Sequence, residues 1–337
     1  MKLALATTTI NVPQTLALYG AYGPDVKMFV TGDINTPPAA YDFCDSVPNC
    51  IAGRPASQSS WKCSELLGWQ SICRRNIALL EAVRSGAGVI LFTDDDNIPC
   101  DGSFFHKFTS LFADGFDGIK VSSPNGWFDA GQMLTPAVRH RGIPIEVPSA
   151  PPRLDAIIDA HIGVASGLWV GDADVNAVDR IANPPAVYSA AALALAGVVV
   201  DPNTKTVFNA QNVAFLRELA PAMFQAPGLG RADDIFASLI TQRVMRERGL
   251  HVHFGQPFTA CWQDRSKASL LKDLSDEMLL LERTAEFANY LHRCELPDST
   301  VVEQVRDIYG DLAHCVWWPK IASEAAFAFL DDIEGVL

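Results

Sequence analysis

Apolar and polar positions in the first hundred residues alternate between two periods. Leu3–Ile10 is a short run of apolar and β-branched residues and predicts a strand; Gln14–Tyr19, just after Pro13, opens a short helix. Val26–Val30 repeats the strand pattern and ends in Thr31-Gly32-Asp33, and the Pro- and Asn-rich stretch Asn35–Asn49 predicts a loop. Across Trp69–Ser85 the residues Ile72, Ile77, Leu80 and Val83 fall at helical spacing, and Ala87–Phe92 follows as a buried strand. Strand, helix, strand, helix, strand is the succession of a parallel sheet with crossover helices, so an α/β fold is expected.

Farther along, Val121–Arg153 is rich in Gly, Pro and aromatic residues and predicts a long loop, suited to a lid or an acceptor site. Ala186–Val200 is the most apolar segment, too short to span a bilayer, and predicts a buried helix running into the strand Val198-Val199-Val200. Val207–Arg217 predicts a strand and a helix start. Asp233–Arg248 predicts a helix with Ile235, Phe236, Leu239, Ile240 and Val244 on one face. After Pro257 the pattern is mostly helical, clearest over Leu270–Tyr290 and Thr300–Ala313. The expected organisation is one α/β domain over residues 1–265 with a helical C-terminal region, 266–337, packed on it.

Composition narrows the function. Of 337 residues, 49% are hydrophobic and 19% charged, as in a globular protein. A net charge of -13 argues against general affinity for nucleic acid or anionic membranes. Met1–Ile10 carries one positive charge and reads as a first strand rather than a signal peptide. The eight cysteines form no C-x-x-C pair and no zinc spacing. Reduced thiols and a cytoplasmic location are therefore expected, with no transmembrane segment.

Chemistry concentrates at Asp94-Asp95-Asp96-Asn97, directly after the strand Ala87–Phe92. Strand ends are where α/β proteins bind ligands, and clustered carboxylates repel one another unless a cation sits among them. A Mg²⁺ or Mn²⁺ ion shared with substrate phosphates is one outcome; an acidic turn capping the next helix is the other. Asp33, after the second strand, is placed to accept from a ribose or base, or to make a Gly-Asp turn. Arg74, in Cys73-Arg74-Arg75-Asn76, is suited to a diphosphate or to a solvated helix face. In Gly230-Arg231-Ala232-Asp233-Asp234, paired carboxylates suit a general base or a favourable first helical turn. Arg265-Ser266-Lys267-Ala268-Ser269 suits a phosphate, or a helix lead-in capped by Ser269. Arg139-His140-Arg141 is a basic cluster in an acidic chain.

Taken in this order, these segments resemble the reversibly glycosylated polypeptide family (the UDP-arabinopyranose mutases) and the related STELLO-type glycosyltransferases. Thr8-Thr9-Ile10-Asn11, Val30-Thr31-Gly32-Asp33, Cys73-Arg74, Phe92-Thr93-Asp94-Asp95-Asp96, Gly167-Leu168-Trp169, Gly230-Arg231-x-Asp233-Asp234 and Ser266-Lys267-Ala268-Ser269 carry the likeness. The resemblance implies a GT-A fold, Rossmann-like, and a nucleotide-sugar donor, UDP-sugar foremost. It implies Mn²⁺ or Mg²⁺ on Asp94 and Asp96, with Asp95 supporting the donor sugar or ribose. Thr8, Asp33, Arg74 and Arg231 fall on the nucleotide-sugar side, and Lys267 and Arg265 on the leaving diphosphate. Asp233 or Asp234 becomes the general base, and Arg141 the counterpart of the arginine that mutases glycosylate. The family has a His, a possible metal ligand, where this chain has Arg265, which cannot bind a metal; Asp264 is the alternative ligand. This departure and the altered flanks of Arg141 favour transfer to an external acceptor (glycan, protein or modified base) over a mutase, while Arg265 also suits the second alternative, a non-catalytic nucleotide-sugar binder.

Overall fold

The computed structural model describes residues 1–263 and 265–337, and is α/β. Strands are β1 (Leu3–Thr9), β2 (Lys27–Gly32), β3 (Cys50–Gly53), β4 (Val89–Thr93), β5 (Phe116–Ser122), β6 (Arg153–Ala160), β7 (Ile162–Gly171), β8 (Val198–Val200), β9 (Asn212–Leu216) and β10 (His251–Cys261). The main helices are α1 (Leu16–Tyr22), α2 (Pro38–Ser46), α3 (Arg75–Arg84), α4 (Phe104–Ala113), α5 (Asp233–Glu247), α6 (Lys267–Asp276), α7 (Met278–Arg293), α8 (Val301–Leu312) and α9 (Lys320–Glu334). Among the described residues no helix is long and apolar enough to cross a membrane.

The chain crosses four times between two compact units. The first holds Met1–Ile98, Ala210–Leu229 and Leu296–Leu337; the second holds Pro99–Asn209 and Gly230–Glu295. The expected helical region 266–337 is thus divided, with α6 and α7 in the second unit and α8 and α9 in the first.

In the first unit the strands run β3-β2-β1-β4-β9, parallel except for β9. This is the doubly wound order, in which the chain reverses direction across the sheet between β1 and β4. All seven residues of β1 and all five of β4 are buried, as an interior parallel strand requires. The helix α2 lies inside the expected loop Asn35–Asn49. Pro38 stands in its first turn, where a missing N–H costs nothing, and Ala40, Tyr41 and Cys44 bury one face. The helix α8 starts at a capping box, with Thr300 and Glu303 satisfying each other's backbone N–H groups. On α9, Phe329 stacks on Phe224 with centroids 4.7 Å apart, and the Asp332 carboxylate accepts from the Lys62 and Cys63 N–H groups at 3.0 and 2.9 Å.

In the second unit the order is β7-β10-β8-β5-β6, with β7 and β10 parallel and β6 an antiparallel edge. β10 continues past Pro257, where the pattern had turned helical. The region around Ala192–Ala196 is a short helix that is largely exposed rather than buried. The expected helix Leu270–Tyr290 is two helices, broken at Glu277, whose side chain is buried and accepts from the Ala177 N–H. Phe236 of α5 and Phe287 of α7 pack with centroids 4.6 Å apart.

Candidate functional site

Doubly wound sheets bind ligands at the carboxyl ends of the strands where the order reverses. In the first unit that place is the junction of β1 and β4, where Asp94, Asp95 and Asp96 follow β4. The Thr9 hydroxyl, closing β1, donates to Asp95 Oδ2, and the Thr15 hydroxyl donates to the Asp95 carbonyl at 2.6 Å. The turn is closed from within: Asn97 N–H reaches the Asp94 carbonyl at 3.3 Å, and Asp94 N–H and Asn97 Nδ2 donate to the Gln211 carbonyl at 3.3 and 2.8 Å. The Thr8 hydroxyl donates to the Thr31 carbonyl at 2.7 Å, holding β1 to β2. Asp33 is buried at the end of β2; its Oδ1 accepts from Ile34 N–H at 2.6 Å and its Oδ2 from Ser71 N–H at 3.2 Å.

The two neighbouring arginines do different work. Arg74 is fully buried and stacked 4.0 Å from the Trp69 centroid. It donates to Gln58 Oε1 at 2.8 Å, to the Ser64 carbonyl at 2.6 Å and to Ser64 Oγ at 3.0 Å. Gln58 in turn donates to the Gly32 carbonyl at 2.7 Å, so Arg74 acts on the Asp33 corner at one remove. Arg75 is the one that meets the triplet. Its Nη2 donates to Asp94 Oδ1, and its Nη1 to the Ala210 carbonyl at 3.0 Å. Sequence alone picked out Arg74 and not Arg75, and it left Thr9, Thr15 and Gln211 without a role.

Burial raises the Asp94 carboxyl to about 6; Arg75 pulls it down, and Asp96 and Asp95 push it up. Burial raises Asp95 too, against the hydrogen bond from Thr9. Asp96 is exposed. Hard carboxylate oxygens beside a strand end are the right donors for Mg²⁺ or Mn²⁺, which need only one or two of them plus phosphate oxygens. Arg75 already answers part of the Asp94 charge. Among the described residues no group of three or more His, Cys, Asp or Glu side chains is set to hold a metal ion. Asp264, the alternative ligand, lies outside the described residues.

The second unit gathers the other residues the sequence singled out. Gly230 has φ +59°, and a Cβ there would collide with the Asp276 carbonyl, so the turn before α5 requires glycine. Arg141 is buried between two carboxylates. Its Nε reaches Asp174 Oδ1 and Oδ2 at 2.9 and 3.0 Å, and its Nη1 and Nη2 reach Asp234 Oδ1 and Oδ2 at 3.0 and 2.9 Å. Burial opposes ionisation of Asp174, but Arg141 outweighs it and holds that carboxyl well below its usual range. Asp233 Oδ1 accepts the Asp234 N–H at 2.8 Å in the first turn of α5. Arg231 pairs with Glu277 at 2.7 Å and with Asp273 at 3.5 Å; Arg265 pairs with Asp273 at 2.7 Å and Asp172 at 3.5 Å. Lys267 is exposed and opens α6, whose N-cap is Ser266 rather than Ser269, with Ser266 Oγ accepting the Ser269 N–H at 3.1 Å. Asp172, Asp174, Asp273 and Glu277 were not singled out. Asp172 and Asp174 stand just after β7, and acids at a strand end were the available signal.

No known protein family matches the chain, and no curated protein sequence matches it. Crystal structures of S. aureus TarS are similar to it at low scores. Residues 1–349 of TarS superpose with a TM-score of 0.39 at 10% identity, covering 100% of this chain and 90% of that one. The same piece in complex with UDP gives 0.38 at 10% identity and the same coverage. A longer TarS structure gives 0.37 at 11% identity, with 55% of its length covered.

Proposed function

We propose that the chain is a GT-A glycosyltransferase that moves a sugar from a nucleotide-sugar, UDP-sugar foremost, to an external acceptor. The observation that carries this reading is the acidic turn after β4, tied to β1 through Thr9 and Thr15 at the strand-order reversal. Asp33, at the end of the neighbouring strand, would accept from the ribose or base. Asp94 and Asp96 would hold a Mn²⁺ or Mg²⁺ ion, which when bound supplies positive charge to the leaving diphosphate. Arg75 keeps Asp94 oriented, and Asp95 braces the corner. Asp233 or Asp234 would be the general base for an acceptor hydroxyl. Arg265 and Lys267 remain candidates for the diphosphate.

Transfer is favoured over a mutase by the state of Arg141. A guanidinium gripped by two carboxylates is a poor sugar carrier, since glycosylation would break both pairs. The eight cysteines are free thiols, which supports action in a reducing, cytoplasmic compartment.

Thermal denaturation with a panel of nucleoside diphosphates, with and without Mn²⁺, tests the reading. UDP with Mn²⁺ at one hundred times its Kd should add about 2.7 kcal/mol to stability. Asp96→Ala should remove the Mn²⁺-dependent part of that gain and abolish nucleotide-sugar turnover. Normal turnover by Asp96→Ala, or no response to any nucleotide, would sink the assignment.

A further inference from the structure

Two of the eight cysteines meet in the first unit, at the outer strand of its sheet. Cys44 stands in the last turn of α2, on the buried face it shares with Ala40 and Tyr41, and α2 packs on β3. Cys50 is the first residue of β3 and is half-buried. Two turns fold the intervening residues back on themselves. The Val47 N–H donates to the Cys44 carbonyl at 3.1 Å, and the Cys50 N–H donates to the Val47 carbonyl at 3.2 Å. Asn49 is left-handed, with φ +58°, and its carbonyl accepts the Met28 N–H at 2.9 Å, which fixes the start of β3 against β2. Backbone bonds thus hold the helix end beside the strand start, and the two thiols come within hydrogen-bond reach of each other.

The Cys50 S–H donates to the Cys44 sulfur. A hydrogen bond to the ionised form favours that form. This bond holds Cys44 below the usual thiol value although burial opposes it, and the same bond, then burial, pushes Cys50 up. The first proton therefore leaves from Cys44, and the thiolate is the form that oxidants attack. Cys100 is more exposed, yet partial burial and Asp101 raise its thiol. Exposure and thiolate character thus point to different cysteines, and a second sulfur in contact is found at Cys44.

We propose that Cys44 and Cys50 are a site of reversible oxidation, a dithiol that hydrogen peroxide converts to a disulfide joining the end of α2 to the start of β3. Peroxide is small enough for a sulfur as buried as that of Cys44. The Cys44 thiolate attacks one peroxide oxygen and becomes a sulfenic acid; the hydroxide that leaves takes up the proton Cys44 had lost. The Cys50 sulfur then displaces the hydroxyl from Cys44, the S–S bond forms, and the Cys50 proton departs with that hydroxyl as water. Two thiols and one peroxide become one disulfide and two waters, the peroxide accepting both electrons. A dithiol reductant restores the thiols by exchange. The proposal does not depend on the donor site.

Peptide mapping of the full chain after limiting hydrogen peroxide tests this. Trypsin cuts after Lys27 and Lys62 and passes over Arg54, which precedes Pro55, so both sulfurs fall in one peptide with no other cysteine. That peptide should emerge two hydrogens lighter, resist alkylation at both positions and regain both thiols after dithiothreitol, while Cys100 keeps its thiol. Cys50→Ala removes the S–H donor, and should slow oxidation of Cys44 by about tenfold or more and leave it carrying added oxygen. The wild-type map decides by itself if that variant fails to fold. Oxidation of Cys100 ahead of the pair, added oxygen in place of the two lost hydrogens in the wild type, an unreacted pair, or an undiminished rate in Cys50→Ala would overturn the proposal.

Discussion

Arg141 and Asp234 bear on each other more than on solvent, and that sets what their replacement does. Arg141→Met takes the close guanidinium from two buried carboxylates, leaving Asp174 the more distant Arg231 at 3.7 Å, and should cost about 3–5 kcal/mol in denaturant unfolding. The general base is whichever of Asp233 and Asp234 loses about a hundredfold or more in turnover as its Asn variant. Asp234→Asn should also lower the melting temperature, since it weakens the pair with Arg141; unchanged turnover in both variants would contradict the role. At this scale the sequence located carboxylates at strand ends, Asp33 after β2 and Asp94 to Asp96 after β4. It was not readable at Arg74 and Arg75. Neighbours on a helix point about 100° apart, and residue type alone does not say which faces the ligand corner.

Elements were legible where one period dominated. β1, β2, β4, α5 and α8 fall within a few residues of their expected bounds, because β1, β2 and β4 are largely apolar runs of buried strand and the two helices keep apolar residues at helical spacing. The strand β10 was missed because Pro257 suggested a break, and α2 because its short amphipathic face is embedded in Pro and Asn. β10 also carries a measurable pH effect. His253 is buried on it, stacked edge-on to Phe116, and burial holds its ring down to about 4. The unfolded chain protonates this ring near its ordinary value of 6.5, so the neutral ring's contribution is complete above that pH. It is lost as pH falls from 6.5 toward 4, by about 3 kcal/mol in all. Asp94 and Asp129, both raised to about 6, pull the other way, gaining stability as pH falls. The difference between wild type and His253→Leu isolates the histidine. Urea unfolding at pH 7 and pH 4.5 should show the wild type losing more than the variant, and parallel losses would contradict the shift.

At the scale of the whole chain, what the sequence withheld was the partition. No linker marks the crossings near residues 98, 210, 230 and 296, because each falls in ordinary turn-forming sequence between well-packed elements. A fragment ending at residue 265 lacks α8 and α9 from the first unit and α6 and α7 from the second. Phe329 and Leu330 on α9 are completely buried, each worth about 1.5–3 kcal/mol. Fragment 1–265 should therefore melt without a cooperative transition by circular dichroism, whereas a sharp transition would restore it as a self-standing domain.

The turn from Asp94 to Asn97 is closed by the protein's own groups: Gln211 and Arg75 on one side, Thr9 and Thr15 on the other. A corner built this way keeps its form in the presence of a chelator. A nucleotide of the class proposed above would meet a finished cradle and would not first have to order a loop. Its capture is then governed by how often the two collide in the right orientation.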